Sequence, residues 1–273
     1  MTTTLGRPAS ASAGASADDP HDDPHVDPDV EWQLRCELAA TYRLIAHFRM
    51  TDLIFTHISL RLPGPDHRFL INPYGLLFEE ITASSLVTID LDGNPVGSHR
   101  YGVNPAGFVI HSAIHRARDD AHCVLHTHSR AGCAVAALDH GLLPVNQMSM
   151  EFYGQVAYHD YEGIALDLAE QQRLVADLGD RPVLILRNHG LLTVGESASQ
   201  AFLRMYYLDK ACEIQLAAAA AGTLRLPPQD VCERTAGQFA GTVTGDYTDP
   251  EGNALAWAAL MRLVDRVAPD YKT

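Results

Sequence analysis

Apolar and polar residues along the chain switch repeatedly between a helical and a strand period. Trp32, Leu34, Leu38, Tyr42, Ile45 and Phe48 follow at roughly helical spacing behind a start rich in Asp and Glu, which predicts a helix opening near Asp29. His57-Ile58-Ser59-Leu60-Arg61-Leu62 alternates polar and apolar, as a half-buried strand does, and stops at Pro63-Gly64. Residues 69–71 and 86–89 predict two more strands, the second ending at the Asp92-Gly93 turn. A helix over about 108–118, a strand over 123–126 and an Ala-rich helix over 130–138 follow. Beyond Asp167 a helix leads into 182–186, the most apolar strand of the chain, and 190–194 returns from a tight Asn188-His189-Gly190 turn. Residues 197–221 read as one long helix and 254–267 as a last one, with Pro227-Pro228 between them. Helices mixed with strands and no internal linker predict a single α/β domain over 31–273, with a C-terminal extension from about 224.

The first 30 residues are different. An Ala/Ser/Thr-rich start runs into DDPHDDPHVDPD, with too little apolar surface to offset chain entropy, so a disordered acidic tail is expected. His21 and His25 lie there without a rigid frame that would let them share a metal.

Charge narrows the partners. The 273 residues carry 20 Lys+Arg against 34 Asp+Glu, a formal net charge of −14, with no basic cluster, which argues against nucleic acid and anionic lipid. A chain this long buries enough core to fold without disulfides or a structural metal. Its 5 cysteines form no CxxC pair, and neither a signal peptide nor a run of apolar residues long enough for a membrane span is visible, so a cytoplasmic protein acting on small molecules is expected. GxGxxG and Walker loops are absent from the sequence.

The 14 histidines change the picture through their placement. In Leu125-His126-Thr127-His128 two rings stand at i and i+2, on one face of a strand with roots about 6–7 Å apart, so one ion can bridge them. His189, in the turn after the buried strand, is the natural third nitrogen, and neutral imidazoles suit zinc or iron(II). An HxH pair alone is weak evidence.

The sequence around it carries more weight. INPYGLLFEEIT, NPAGFVIHSAIHRARDDAHCVLHTHSRAGCAVAAL, VAYHDYEGIALD and VLILRNHGLLTVGESASQAF together resemble the class II aldolase/adducin family over roughly residues 35–220. The resemblance implies a three-layer α/β/α sandwich on a central, mainly antiparallel sheet, a homotetramer with its site near a subunit interface, and one divalent metal per chain, zinc or iron, held by His126, His128 and His189. It also exposes departures. The position of the family's acid/base Glu is Gly107, its phosphate-binding serines fall at Pro105 and Ala106, and a phosphate-contacting Asn falls at His57, while Gly75 is kept. Pro105 has no N–H or hydroxyl to donate, so a non-phosphorylated substrate is expected.

Three readings follow. The first is a metal-dependent lyase, aldolase- or decarboxylase-type, in which a chelated hydroxy or oxo acid is cleaved next to its carbonyl or carboxylate and the metal stabilises the resulting enolate. The second follows a small group of the family in aminocoumarin antibiotic biosynthesis, and is an iron(II) oxygenase shortening a prenylated aromatic acid. The third is an oligomeric binding module like an adducin head, with residual histidines.

Around the histidines, Glu151 and Tyr153 are candidates for the missing proton carrier, and Arg187 for a substrate carboxylate, with an ion pair to Asp160 or Glu162 as its rival role. His111 and His115 are four apart on one helical face, and structural roles are expected, His111 satisfying backbone groups and His115 at a helix contact. His122 is expected to be exposed or at a helix–strand junction, and Tyr158, His159 and Tyr161 in a turn and subunit contact. Asp209, Lys210 and Glu213 read as a solvated helix face, and Trp257 and Tyr271 as residues able to close over a neighbouring site.

Overall fold

The computed structural model describes residues 26–97, 100–164, 168–241 and 250–273, so His21 and His25 lie outside the described residues. Order starts inside the stretch assigned to the tail: Asp27 caps α1 (Pro28–His47), its side chain accepting from Asp29 N at 2.9 Å.

Among the described residues, seven strands form one sheet in the order β3-β2-β1-β4-β7-β6-β5. They are β1 (His57–Arg61), β2 (Phe69–Ile71), β3 (Val87–Ile89), β4 (Cys123–Thr127), β5 (Val156–His159), β6 (Val183–Leu186) and β7 (Gly190–Gly195). Every pairing is antiparallel except β5 with β6. The helices are α2 (Pro105–Ala117), α3 (Arg130–Ala136), α4 (Gln147–Glu151), α5 (Glu170–Leu178), α6 (Ala198–Ala221), α7 (Gln229–Phe239) and α8 (Pro250–Val267).

Strand alternation divides the core into layers. Ile58, Leu60, Cys123, Leu125, Ile185 and Leu191 point to the side covered by α1, α3, α6 and α8, where Leu38, Tyr42, Val135, Phe202 and Val264 are buried. Val124, Leu184, Leu192 and Val194 point the other way, against Ile110 and Ile114 of α2 and Leu174 and Leu178 of α5. The result is the expected α/β/α sandwich. His57 and Ser59 alternate with Ile58 and Leu60, so they face α2, as does His126, which pairs with His57.

The strands read from the sequence fall where the structure has them, but four other readings need correction. Helix α2 starts at Pro105 rather than near Phe108, because Asn104 caps it by accepting from Ala106 N at 3.1 Å. Tyr158 and His159 sit on strand β5, not in a turn; His159 is buried between Asp177, 2.7 Å from its Nδ1, and Glu170. Asp209 is buried on α6 rather than solvated, and desolvation raises its carboxyl, though Lys210 and Glu213 do pair at 2.7 Å. Trp257 and Tyr271 pack within the chain: the Trp257 ring lies 6.0 Å from that of Phe202, and the buried Tyr271 donates to Asp265 at 3.1 Å.

Candidate metal centre

Three chain segments meet at one end of β4 and β7. His126 is the fourth residue of β4, paired with Leu192 of β7. His128 follows just beyond the strand, where the Ser129 hydroxyl accepts from Gly132 N at 3.1 Å and turns the chain into α3. His189 is delivered by a turn in which Asn188 takes the left-handed conformation, φ 55°, and the His189 N–H donates to Leu186 O at 3.1 Å. A Cβ on Gly190 would lie 2.5 Å from the Thr127 carbonyl, so only glycine lets β7 begin this close to the HxH segment.

The rings converge. Centroid separations are 4.7 Å for His126–His128 and 4.8 Å for both His126–His189 and His128–His189, and one nitrogen from each ring lies within 4.8 Å of the others. His126 Nδ1 donates to Leu191 O, and His128 Nδ1 to Asp52 Oδ2, both at 2.9 Å. For neutral rings this leaves two bare Nε2 lone pairs facing each other at 2.9 Å, which a cation between them relieves. Nitrogens about 2.1 Å from a shared ion and roughly at right angles or tetrahedral to one another sit about 3.0–3.4 Å apart. The His126–His128 pair is already near that spacing, and the His189 nitrogen lies within 4.8 Å of both, so the donor set can close on a divalent metal. Burial keeps His126 well below the ordinary histidine range and, with His128 nearby, His189 at about 4, the neutral form that binds metal.

Of the other sequence candidates, His57 and Gly107 join this site. The His57 ring lies 5.0 Å from that of His126, and a Cβ on Gly107 would come within 2.8 Å of the His57 ring. Gly75 stands in open space with φ +115°, in the loop that follows β2 and Asn72, whose side chain donates to Thr56 O at 3.4 Å. His111 bonds side chains, His57 and Ser59, rather than backbone groups. His115 reaches Ser59 and the Ala121 carbonyl, and His122 is exposed. Burial holds His57 and His111 well below the usual range and His115 at about 3.

Three candidates go elsewhere. Arg187 lines a recess beside His189, but its guanidinium stacks 4.2 Å over Tyr158 and donates to Leu138 O at 2.7 Å. It pairs with neither Asp160 nor Glu162, the latter being held by Arg173. Glu151 lies beside Arg204, whose guanidinium bonds the Val194 carbonyl, at the opposite end of β7 from His189; burial raises its carboxyl to about 7 against the pull of Arg204. Tyr153 shares that end, next to Gly154, whose carbonyl accepts from Arg181 at 2.6 Å. Within one chain, neither reaches the histidines. Asp52 and Ser59 are the site residues the sequence reading missed. Asp52 follows α1 in a stretch without periodicity, whereas Ser59 was legible as the residue two after His57 on the same strand face.

Fold and site together define a class: an α/β/α protein with a three-histidine, metal-type centre at the end of its sheet. Residues 36–216 match the family described as Class II Aldolase and Adducin N-terminal domain, and the chain belongs to that family. A solved aldolase II superfamily protein from Pseudomonas syringae is 52% identical with a TM-score of 0.82, covering 89% of this chain and 96% of that one. The L-fuculose 1-phosphate aldolase of Glaciozyma antarctica is 29% identical with a TM-score of 0.77, covering 89% and 93%. Alpha-adducin of Rattus norvegicus is 44% identical over 250 residues, which are 88% of this chain but 34% of that protein. None of these three is named as an oxygenase. Among the described residues no helix is long and apolar enough to cross a membrane.

Proposed function

We propose that this chain is a metal-dependent lyase that cleaves a carbon–carbon bond next to the carbonyl or carboxylate of a small, non-phosphorylated hydroxy or oxo acid. The observation that carries the reading is the convergence of His126, His128 and His189, with the outward nitrogens of His126 and His128 already spent on Leu191 and Asp52. A divalent metal bound there, zinc or iron(II), would supply charge that stabilises a developing oxyanion. The relation to a sugar-phosphate aldolase supports the lyase class. Phosphate is disfavoured because Pro105 brings no N–H to the start of α2 and the Ala106 N–H is engaged by Asn104. A reduced, cytoplasmic setting accords with 5 free cysteines, and a homo-oligomer with the tetramers common in the family.

Elemental analysis of freshly purified protein tests the proposal. About one divalent metal per chain is expected, and none in His126→Ala; full metal retention in that variant would count against it. The 44% identity to alpha-adducin favours one other reading, an oligomeric binding module. That reading expects metal-free protein with an unchanged assembly state in His126→Ala.

A further inference from the structure

Behind the three histidines, the α2 face of the sheet buries an unbroken chain of hydrogen bonds whose direction is fixed at its far end. The Ala121 carbonyl can only accept, so His115 Nδ1 donates to it at 2.9 Å and leaves its own Nε2 bare. That nitrogen takes the single proton of the Ser59 hydroxyl, 2.7 Å away. Ser59 Oγ then offers only lone pairs, and His111 Nδ1, at 2.5 Å, must donate to it. His111 Nε2 is thereby bare and accepts from His57 Nδ1 at 2.8 Å. Each neutral ring has one proton, so every step follows from the one before.

The chain ends at His57 Nε2, which has a lone pair and no hydrogen-bond partner among the described residues. This ring is 2% exposed and stands 5.0 Å, centroid to centroid, from the metal-type ligand His126. Gly107 makes the position possible, because a Cβ there would lie 2.8 Å from His57 Cδ2 and 3.2 Å from Nε2. A buried imidazole with two soft partners could present either a donor or an acceptor. Here the choice is removed, and only an acceptor is presented beside the candidate metal.

We propose that His57 is a specificity-determining residue whose Nε2 accepts a hydrogen bond from the hydroxyl of a metal-chelating 2-hydroxy acid, so that the site prefers 2-hydroxy acids to the matching 2-oxo acids. A 2-oxo group turns lone pairs toward a lone pair and leaves Nε2 unsatisfied. Ser59, His111 and His115 are positioning residues that hold the tautomer. The proposal rests on the metal-dependent reading above for its ligand, but the direction of the chain does not.

Two measurements test it. In metal-free protein labelled with ¹⁵N-histidine, long-range proton–nitrogen NMR is expected to show His57, His111 and His115 all protonated on Nδ1. In Ser59→Ala, His57 and His111 are expected to lose that uniform state while His115 keeps it. A proton on His57 Nε2 in the wild type, or a His57 tautomer indifferent to Ser59→Ala, overturns the proposal. In zinc-loaded protein, calorimetry is expected to give lactate about a tenfold advantage over pyruvate, as one net hydrogen bond supplies. The advantage disappears in His57→Phe and shrinks in Ser59→Ala, which keeps the His57 ring, with zinc stoichiometry unchanged in both. Zinc held with no preference for lactate, or a preference that survives His57→Phe, sinks this inference alone. Failure of the wild type to hold zinc sinks the metal-dependent reading and this inference together, whatever tautomers the NMR shows.

Discussion

Asp52 accepts from His128 Nδ1 at 2.9 Å and so turns the Nε2 lone pair of that ring toward His126 and His189. Carboxylates in this position fix the tautomer of a ligand and strengthen it as a donor. Asp52→Ala is therefore expected to weaken metal binding about 10- to 100-fold, measured by competition with a chelator, while the unfolding midpoint of the metal-free protein changes little. The buried neutral histidines cost stability in acid, partly offset by Glu151 and Asp209, whose carboxyls burial raises. Burial lowers His115 from an ordinary 6.5 to about 3 and His189 from 6.5 to about 4. Above 6.5 neither the folded nor the unfolded state protonates them, and their stability contribution is complete. As pH falls below 6.5 the unfolded chain takes protons that the folded chain refuses, so stability is lost progressively down to about 4 for His189 and about 3 for His115, at up to roughly 1.4 kcal/mol per pH unit per histidine. Urea denaturation of metal-free protein at pH 7.5, 6, 5 and 4 checks this, and a flat profile would contradict the neutral, buried assignment.

At the scale of elements, close approach governs. Helix α2 lies against β1 so that Gly107 meets the His57 ring, and a methyl group there has no space. Gly107→Ala is expected to destabilise the protein by about 1–3 kcal/mol in urea titrations. A glutamate at the same place, which would restore the carboxylate of the sugar-phosphate aldolases, must first displace His57, so a gain of aldol cleavage is not expected from that change alone. The turn before β7 gives a milder test: Asn188 sits at φ 55°, and Asn188→Val is expected to cost about 1–2 kcal/mol where Asn188→Gly is nearly neutral. Much of this was legible in the sequence. The i, i+2 spacing in the VLHTH segment put His126 and His128 together, and the Asn188-His189-Gly190 punctuation located the third ring, whereas the pairing of β1 with β4 that brings His57 and Ser59 onto the face of His126 is visible only in the structure. Where Glu151 and Tyr153 lie was not legible, because it depends on strand order. β5 runs parallel to β6 and begins at the end away from His189, so residues just before it are carried to the Arg204 end of the sheet.

Seen as a whole molecule, the two halves of the sandwich have different jobs. The side built from α1, α3, α6 and α8 holds the larger apolar core, including Phe202 against Trp257, while the α2 side holds the polar chain and its histidines. The C-terminal segment belongs to the first half: Asp270 pairs with Arg43 at 2.8 Å, and Ser84 N donates to the Thr273 carbonyl at 2.9 Å. Sequence could not show this, since α7 and α8 have helical periodicity but no signal naming their neighbours. Removing residues 242–273 is expected to uncover apolar surface around Phe202 and along α1, and to yield protein that aggregates on light scattering, even though every proposed metal ligand remains.

The register of β1 on β4 sets His57 opposite His126, and that of β4 on β7 sets His126 opposite Leu192, three residues after His189. A shift of one residue in either pairing would turn the imidazoles into the apolar layer. Strand alignment and ligation are thus one cooperative event, and an ion gripped at the sheet's end acts as a clasp on its middle. Zinc loading should therefore slow amide exchange along β4 and β7, and into β1, whose residues include none of the three ligands.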